Sequence, residues 1–257
     1  MFDTHIHTKI SSDSKMEIED AIKCAKSRNI SMIITEHMDL KFPKEGLFCF
    51  DAAQYFEEYD KYRGEDLLLG VEIGMKKDCI QESKKVAKNN PFDYIIGSVH
   101  LVNNLDIYYE EYYKGKNKRE AYEKYFMSML ESIKTYDFID SMGHIDYISR
   151  YAKYEDKEIY YEEYSDIIDE ILKVLINTDK CMELNTRRLN DENAVKNIIP
   201  IYKRFRELGG QNITIGSDAH NTLSIGSNFN AAKDIAKLCD LKIVYFKERK
   251  KEYEKDQ

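Results

Sequence analysis

The sequence predicts an α/β barrel. Short apolar runs alternate with amphipathic stretches along the chain, this alternation repeats seven times, and all six histidines fall at or just beyond the ends of apolar runs. Strands separated by helices pair in parallel through right-handed crossovers. Single α/β barrels commonly occupy about 250 residues, close to the 257 present.

The apolar runs cover residues 1–6, 30–35, 67–73, 93–99, 138–143, 180–184 and 212–216. The segments between them have helical periodicity. Residues 17–28 place Ile18, Ala21, Ile22 and Ala25 on one face. Residues 119–134 align Tyr122, Tyr125, Phe126, Met129, Leu130 and Ile133, and residues 160–176 align Tyr164, Ile167, Ile168, Ile171, Leu172 and Leu175. The aromatic side chains in these stripes read as core packing. A further run at 241–246 is expected to be an eighth strand or an edge piece. Residues 248–257, almost all charged, are expected to form a solvated helix end or a frayed tail. No repeat or composition break interrupts the chain, so one domain over 1–257 is expected.

Hydrophobic residues make up 42% and charged residues 33% of the chain, enough for a sizeable core in a soluble protein. No apolar run approaches the roughly 18–20 residues needed to cross a bilayer. The opening MFDTHIHT lacks the basic patch and apolar stretch of a signal peptide. The five cysteines are scattered and never spaced CxxC, the pattern of reduced thiols in a cytoplasmic protein. A formal net charge of −8 argues against a broad nucleic-acid surface, which needs dense Lys and Arg.

A lone histidine near a strand end is more often a satisfied polar residue than a ligand, but here none is left over. His5 and His7 come from the first run, His37 ends the second, and His100, His144 and His220 follow the fourth, fifth and seventh. In an α/β barrel these strand ends meet at one face, where active sites are built. His5 and His7 are two residues apart and point to one side of a strand, an arrangement that chelates one ion. Glu72 closes the third run, and Asp218 stands two residues before His220. Asp13, in the SSDS loop, is read either as part of a helix N-cap or as a ligand.

The segments DTHIHT, TEH, GVEIG, GSVH, GHID and GSDAH, spanning residues 3–220, resemble the ordered motif set of the PHP (polymerase and histidinol phosphatase) family. The resemblance implies a distorted (β/α)7 TIM-like barrel with a trinuclear metal centre at the C-terminal ends of its strands. Carried over residue by residue, His5, His7, Glu72 and Asp218 would hold the first metal. Glu72 would bridge to a second, also held by His100 and His144. Asp13, His37 and His220 would hold the third, although some members have a histidine where Asp13 stands. The segments DTHIHTKISSDSKM, GSVH and GHIDYISRY also resemble the stand-alone histidinol-phosphate phosphatase branch. That implies hydrolysis of L-histidinol phosphate to L-histidinol and phosphate in histidine biosynthesis.

Three divalent ions with Asp13, Glu72 and Asp218 would leave the site at about +3, attractive to a phosphate dianion. The ions are expected to be Zn, Mn or Fe, the usual partners of such donors. A metal-bound hydroxide is expected to attack phosphorus, with Glu72 bridging and Asp218 or His220 moving protons. Arg150 and one of Arg187 or Arg188 are the candidates for phosphate contact, set against surface solvation or salt bridging. Phe48, Asp106 and Tyr108 are loop candidates for the leaving group. Glu183 and Asn185 stand at a strand end and read as a packing network. The expected partner is a small phosphorylated substrate, without membrane or nucleic acid, and the oligomeric state is not legible. Two other readings stay open: a phosphoesterase acting on nucleotides, oligonucleotide ends or phosphotyrosine, and a non-catalytic metal-binding domain.

Overall fold

The structure, a computed structural model, describes residues 1–254. The chain runs β1 (Phe2–Ile6), α1 (Ile18–Ser27), β2 (Ser31–Met38), α2 (Ala52–Tyr59), β3 (Leu67–Gly74), α3 (Ile80–Asn89) and β4 (Tyr94–Ser98). A small hairpin, β5 (Leu101–Val102) and β6 (Leu105–Asp106), precedes α4 (Lys118–Thr135), β7 (Ser141–Met142), α5 (Tyr147–Tyr151) and α6 (Ser165–Asn177). Then come β8 (Cys181–Asn185), α7 (Glu192–Glu207), β9 (Asn212–Gly216), α8 (Phe229–Leu238), β10 (Lys242–Lys247) and β11 (Lys250–Tyr253). Among the described residues no helix is long and apolar enough to cross a membrane.

The main sheet has the order β1-β2-β3-β4-β7-β8-β9-β10-β11, parallel except for the last pair. Chain order is kept because each crossover helix returns the chain beside the strand it left. This is the expected α/β fold, consistent with a TIM-like barrel. No continuous ladder joins β1 to β9; the two approach through one parallel bridge, Ile6 with Ala219. At the start of β9 the neighbour is β10, paired through Asn212 and Ile213. β10 thus occupies the edge that β1 would otherwise fill.

Side chains alternate along each strand, which sorts the sheet into two faces. Ile34, Leu69, Val71, Ile95, Met182 and Ile215 join the large cluster formed with the helices. On the opposite face Phe2, Ile33, Leu68, Tyr94, Ile96 and Cys181 form a separate small cluster with Val244 and Phe246 from β10. Continuing that face two residues at a time gives Ile33-Thr35-His37, Leu68-Gly70-Glu72 and Cys181-Glu183-Asn185. The interior is apolar at one end and ligand-bearing at the other. A polar layer lies between them, where Thr214 Oγ1 meets Tyr94 Oη at 3.2 Å and Ser141 Oγ at 3.1 Å.

The eighth run at 241–246 does form a strand, β10. The charged segment that follows departs from the expected helix end or frayed tail: 250–253 is β11, and 255–257 lie outside the described residues. Glu248 and Arg249 both have left-handed φ, 51° and 65°, the geometry of a two-residue hairpin turn. Tertiary contacts hold that turn in place of glycine. Arg249 N–H donates to the Asp93 carbonyl at 2.9 Å, and its guanidinium makes a forked pair with Asp140 at 2.6 and 3.0 Å. Arg249→Ala is expected to lower unfolding free energy by about 2 kcal/mol, the scale of charged hydrogen bonds. Denaturant titration checks this, with metal content unchanged because the turn lies at the opposite end from the site.

Candidate metal centre

All nine residues read as metal ligands converge at the ligand-bearing end of the sheet. Glu72, fully buried in β3, is their centre. Its Oε2 lies 3.3 Å from His5 Nε2, 3.4 Å from His7 Nε2 and 2.9 Å from His37 Nδ1. Its Oε1 lies 3.2 Å from His100 Nε2 and 3.0 Å from His144 Nε2. Asp218 Oδ1 is 3.5 Å from His7 Nε2 and 3.9 Å from His5 Nε2. Asp13 Oδ2 is 3.0 Å from His220 Nε2 and 3.5 Å from His37 Nε2. Asp218 holds a left-handed backbone, φ 54°, which Asp tolerates better than most residues.

The donor set fits divalent cations. His5 Nε2, His7 Nε2 and Glu72 Oε2 are buried and have no hydrogen-bond partner, a state that interiors avoid unless something else satisfies the atoms. Donors bonded at about 2.0–2.1 Å around a tetrahedral ion stand about 3.3 Å apart, close to the spacings between Glu72 and His5 and His7. The outward nitrogens are also fixed. His5 Nδ1 meets Glu183 Oε1 at 2.6 Å, His100 Nδ1 meets Asp39 Oδ1 at 2.9 Å, and His220 Nδ1 donates to the Asp218 carbonyl at 2.9 Å. Each contact leaves Nε2 as the inward lone pair, the arrangement typical of metal-ligating histidines.

Electrostatics keep the carboxylates charged. Burial would raise the Glu72 carboxyl, but His5, His100 and His37 outweigh it and hold it well below the usual carboxylate range. Burial is likewise overcome at Asp218, by Arg150, His5, His220 and Arg187. Burial drives His7 well down, reinforced by His37 and His220, and lowers His144. At His37 burial is overcome by Glu72 and Asp13, which push the imidazole up to about 10.

A cavity of about 390 Å³ opens over the cluster. Its wall includes Asp13, His37, Glu72, His100, His144, Asp218 and His220, together with Arg187. The leaving-group candidates Phe48, Asp106 and Tyr108 all lie on this wall, with Phe42, Tyr109, Tyr147 and Tyr151. Arg150 is buried behind Asp218 and bonds its Oδ2, while Nε and Nη2 have no partner. Arg187 Nη1 is 3.6 Å from the same oxygen. Arg188 turns away to Glu158 and Asp146; it lines a neighbouring depression with Arg150 and Arg187 instead.

Two supporting residues were missed or underread. Asp39 stands two residues after His37 in EHMD, the same spacing that flagged His5 with His7, and it orients His100. Glu183, read as packing, holds His5 and also accepts the His144 backbone N–H at 2.7 Å. Asn185 Nδ2 donates to Glu183 Oε2 at 3.3 Å and its Oδ1 accepts from Arg187 N–H at 3.1 Å, a network role as expected.

A family model described as the PHP domain matches residues 3–187, more than half of the chain. The chain belongs to the PHP family. It is 51% identical over 253 residues to a probable histidinol-phosphatase of Clostridium acetobutylicum, covering 98% of this chain and 99% of that protein. It is 32% identical over 225 residues to a histidinol-phosphatase of Lactococcus lactis, covering 85% and 83%. A crystal structure of histidinol phosphate phosphatase from Lactococcus lactis, complexed with zinc, L-histidinol and phosphate, superposes with a TM-score of 0.91 at 28% identity, covering 98% of each chain.

Proposed function

We propose that this PHP protein is a metal-dependent phosphomonoesterase that hydrolyses L-histidinol phosphate to L-histidinol and phosphate. The observation that carries this reading is the convergence of five histidines on the two oxygens of Glu72 beneath a cavity walled by Asp106 and aromatic rings. The full-length likeness to histidinol-phosphatases supports the substrate.

In this reading three divalent ions, of the Zn, Mn or Fe class, would be held by three donor sets, two of which share Glu72. His5, His7, Glu72 and Asp218 form one, Glu72, His100 and His144 the second, and Asp13, His37 and His220 the third. When bound, such ions supply Lewis acidity to water and to phosphate oxygens. The chain's own residues do the rest. Glu72 ties two donor sets together through its two oxygens. Arg187, half-exposed on the wall, contacts the phosphate, and Arg150 braces Asp218 from behind. Arg188, paired with Glu158 and Asp146, acts at most through its neighbours. Proton traffic falls to Asp218 and His220, which both line the cavity. Zinc-loaded protein should release inorganic phosphate from L-histidinol phosphate, lose that activity on chelation and regain it when zinc is restored. No release from fully loaded protein would overturn the reading.

The leaving group carries an ammonium and an imidazole, which favour a carboxylate and aromatic faces. Asp106 supplies the carboxylate, and burial raises its pKa, a penalty that a bound cation relieves. Asp106→Asn is therefore expected to raise KM for L-histidinol phosphate about tenfold while leaving aryl phosphate hydrolysis unchanged, the loss of about one charged hydrogen bond. Equal effects on both substrates in steady-state kinetics would remove Asp106 from leaving-group recognition.

A further inference from the structure

His7 differs from its neighbours in how its ring is held. His5 and His100 each meet a carboxylate at Nδ1, and His220 a backbone carbonyl. His7 Nδ1 meets a hydroxyl instead, Ser11 Oγ at 3.1 Å. A hydroxyl donates or accepts, so alone it leaves the imidazole tautomer open.

The surroundings of Ser11 Oγ close that choice. Its other neighbours are the His37 backbone N–H at 3.0 Å and Glu36 Oε2 at 2.5 Å. The His37 N–H can only donate. Glu36 Oε2 already receives backbone N–H groups from Thr8 at 3.1 Å and Ser11 at 3.0 Å, so it is an acceptor. The single Ser11 hydroxyl proton therefore goes to Glu36, and His7 is left to donate from Nδ1. Its Nε2 is then a bare lone pair facing Glu72 and Asp218. The relay is shut off from water: Glu36 and His7 are 0% exposed and Ser11 is 1% exposed.

We propose that Glu36 is a positioning residue for the metal centre, acting through Ser11 to hold His7 in the Nδ1–H tautomer that ligates through Nε2. The inference rests on reading the cluster as a metal centre. The same carboxylate pins Thr8 and Ser11 at the start of the loop that carries Asp13.

Two variants test it. Ser11→Ala deletes the relay oxygen but leaves Glu36 held by the Thr8 and Ser11 backbone N–H groups. Glu36→Gln keeps the shape but puts a donor where one of two acceptors stood. Zinc-loaded parent and variants are equilibrated against graded chelator and the metal per chain is counted. The His7 tautomer is read by ¹⁵N NMR of histidine-labelled metal-free protein, with melting temperature as the fold control. Both variants are expected to hold one zinc about 10–100-fold more weakly, to keep the remaining zinc as the parent does, and to populate Nε2–H at His7. Ser11→Ala that retains every ion with parental affinity overturns the proposal. So does uniform loss of all ions with a fallen melting temperature in both variants, which marks a folding defect. A parent protein that takes up no metal overturns the metal-centre reading itself.

Discussion

Glu72→Gln lowers kcat/KM for phosphate release by about a thousandfold, equivalent to about 4 kcal/mol of transition-state stabilisation. Glu72 presents Oε2 to His5, His7 and His37 and Oε1 to His100 and His144. A carboxylate can serve two cations through two oxygens. An amide has one acceptor, and its NH2 group would face imidazole nitrogens and whatever they bind. The variant also removes one negative charge from a buried, histidine-rich cluster. Metal content per chain should fall alongside activity while the melting temperature of metal-free protein stays near that of the parent. Full activity and full metal content in the variant would remove Glu72 from its bridging role.

Gly216→Ala is the second large effect, and it involves no ligand directly. A Cβ at position 216 would lie 2.4 Å from Glu183 Oε1 and 2.4 Å from His5 Cβ. Neither neighbour can retreat easily. Glu183 is held by His5 Nδ1 at 2.6 Å and by the His144 N–H at 2.7 Å, and His5 Cβ belongs to β1. Overpacking of this kind costs about 1–3 kcal/mol, which lowers Tm by roughly 5 °C in a chain of this size. Displacing Glu183 from His5 is expected to weaken metal binding about 10–100-fold in addition. Thermal melts and metal retention measure the two parts separately. Parental values for both would show that the strand ends relax around the methyl group.

The strand ends were legible because one face of each strand of the parallel sheet repeats every second residue, so a histidine or carboxylate closing an apolar run is delivered to the same end. His5 lies in β1 with His7 just beyond it, whereas Asp218 and His220 lie past Gly216, the end of β9, and Asp218 turns the chain with a left-handed φ. Asp39 keeps the two-residue spacing, but a carboxylate two residues beyond His37 in a loop-bound segment resembles any surface Asp until β2 is seen to run to Met38. Glu183 looked like packing because its partners, His5 and His144, lie far from it in sequence. The wall formed by Phe48, Asp106 and Tyr108 comes from two loops that only the fold brings together. Tyrosine is also too common in this chain, at 20 residues, for composition to single out any one. The β10–β11 hairpin escaped notice because its turn, Glu248-Arg249, lacks the usual Asn-Gly signal. Its left-handed residues are stabilised by Asp93 and Asp140, which no local reading connects to it.

The measurement that bears most directly on the account is the ratio of kcat/KM for L-histidinol phosphate to that for an aryl phosphate and for a mononucleotide, on one zinc-loaded preparation. The account predicts a preference of at least about a hundredfold for L-histidinol phosphate, the discrimination expected of a site that pairs polar groups with its substrate. Similar rates on all three would keep the phosphomonoesterase and contradict the assigned substrate.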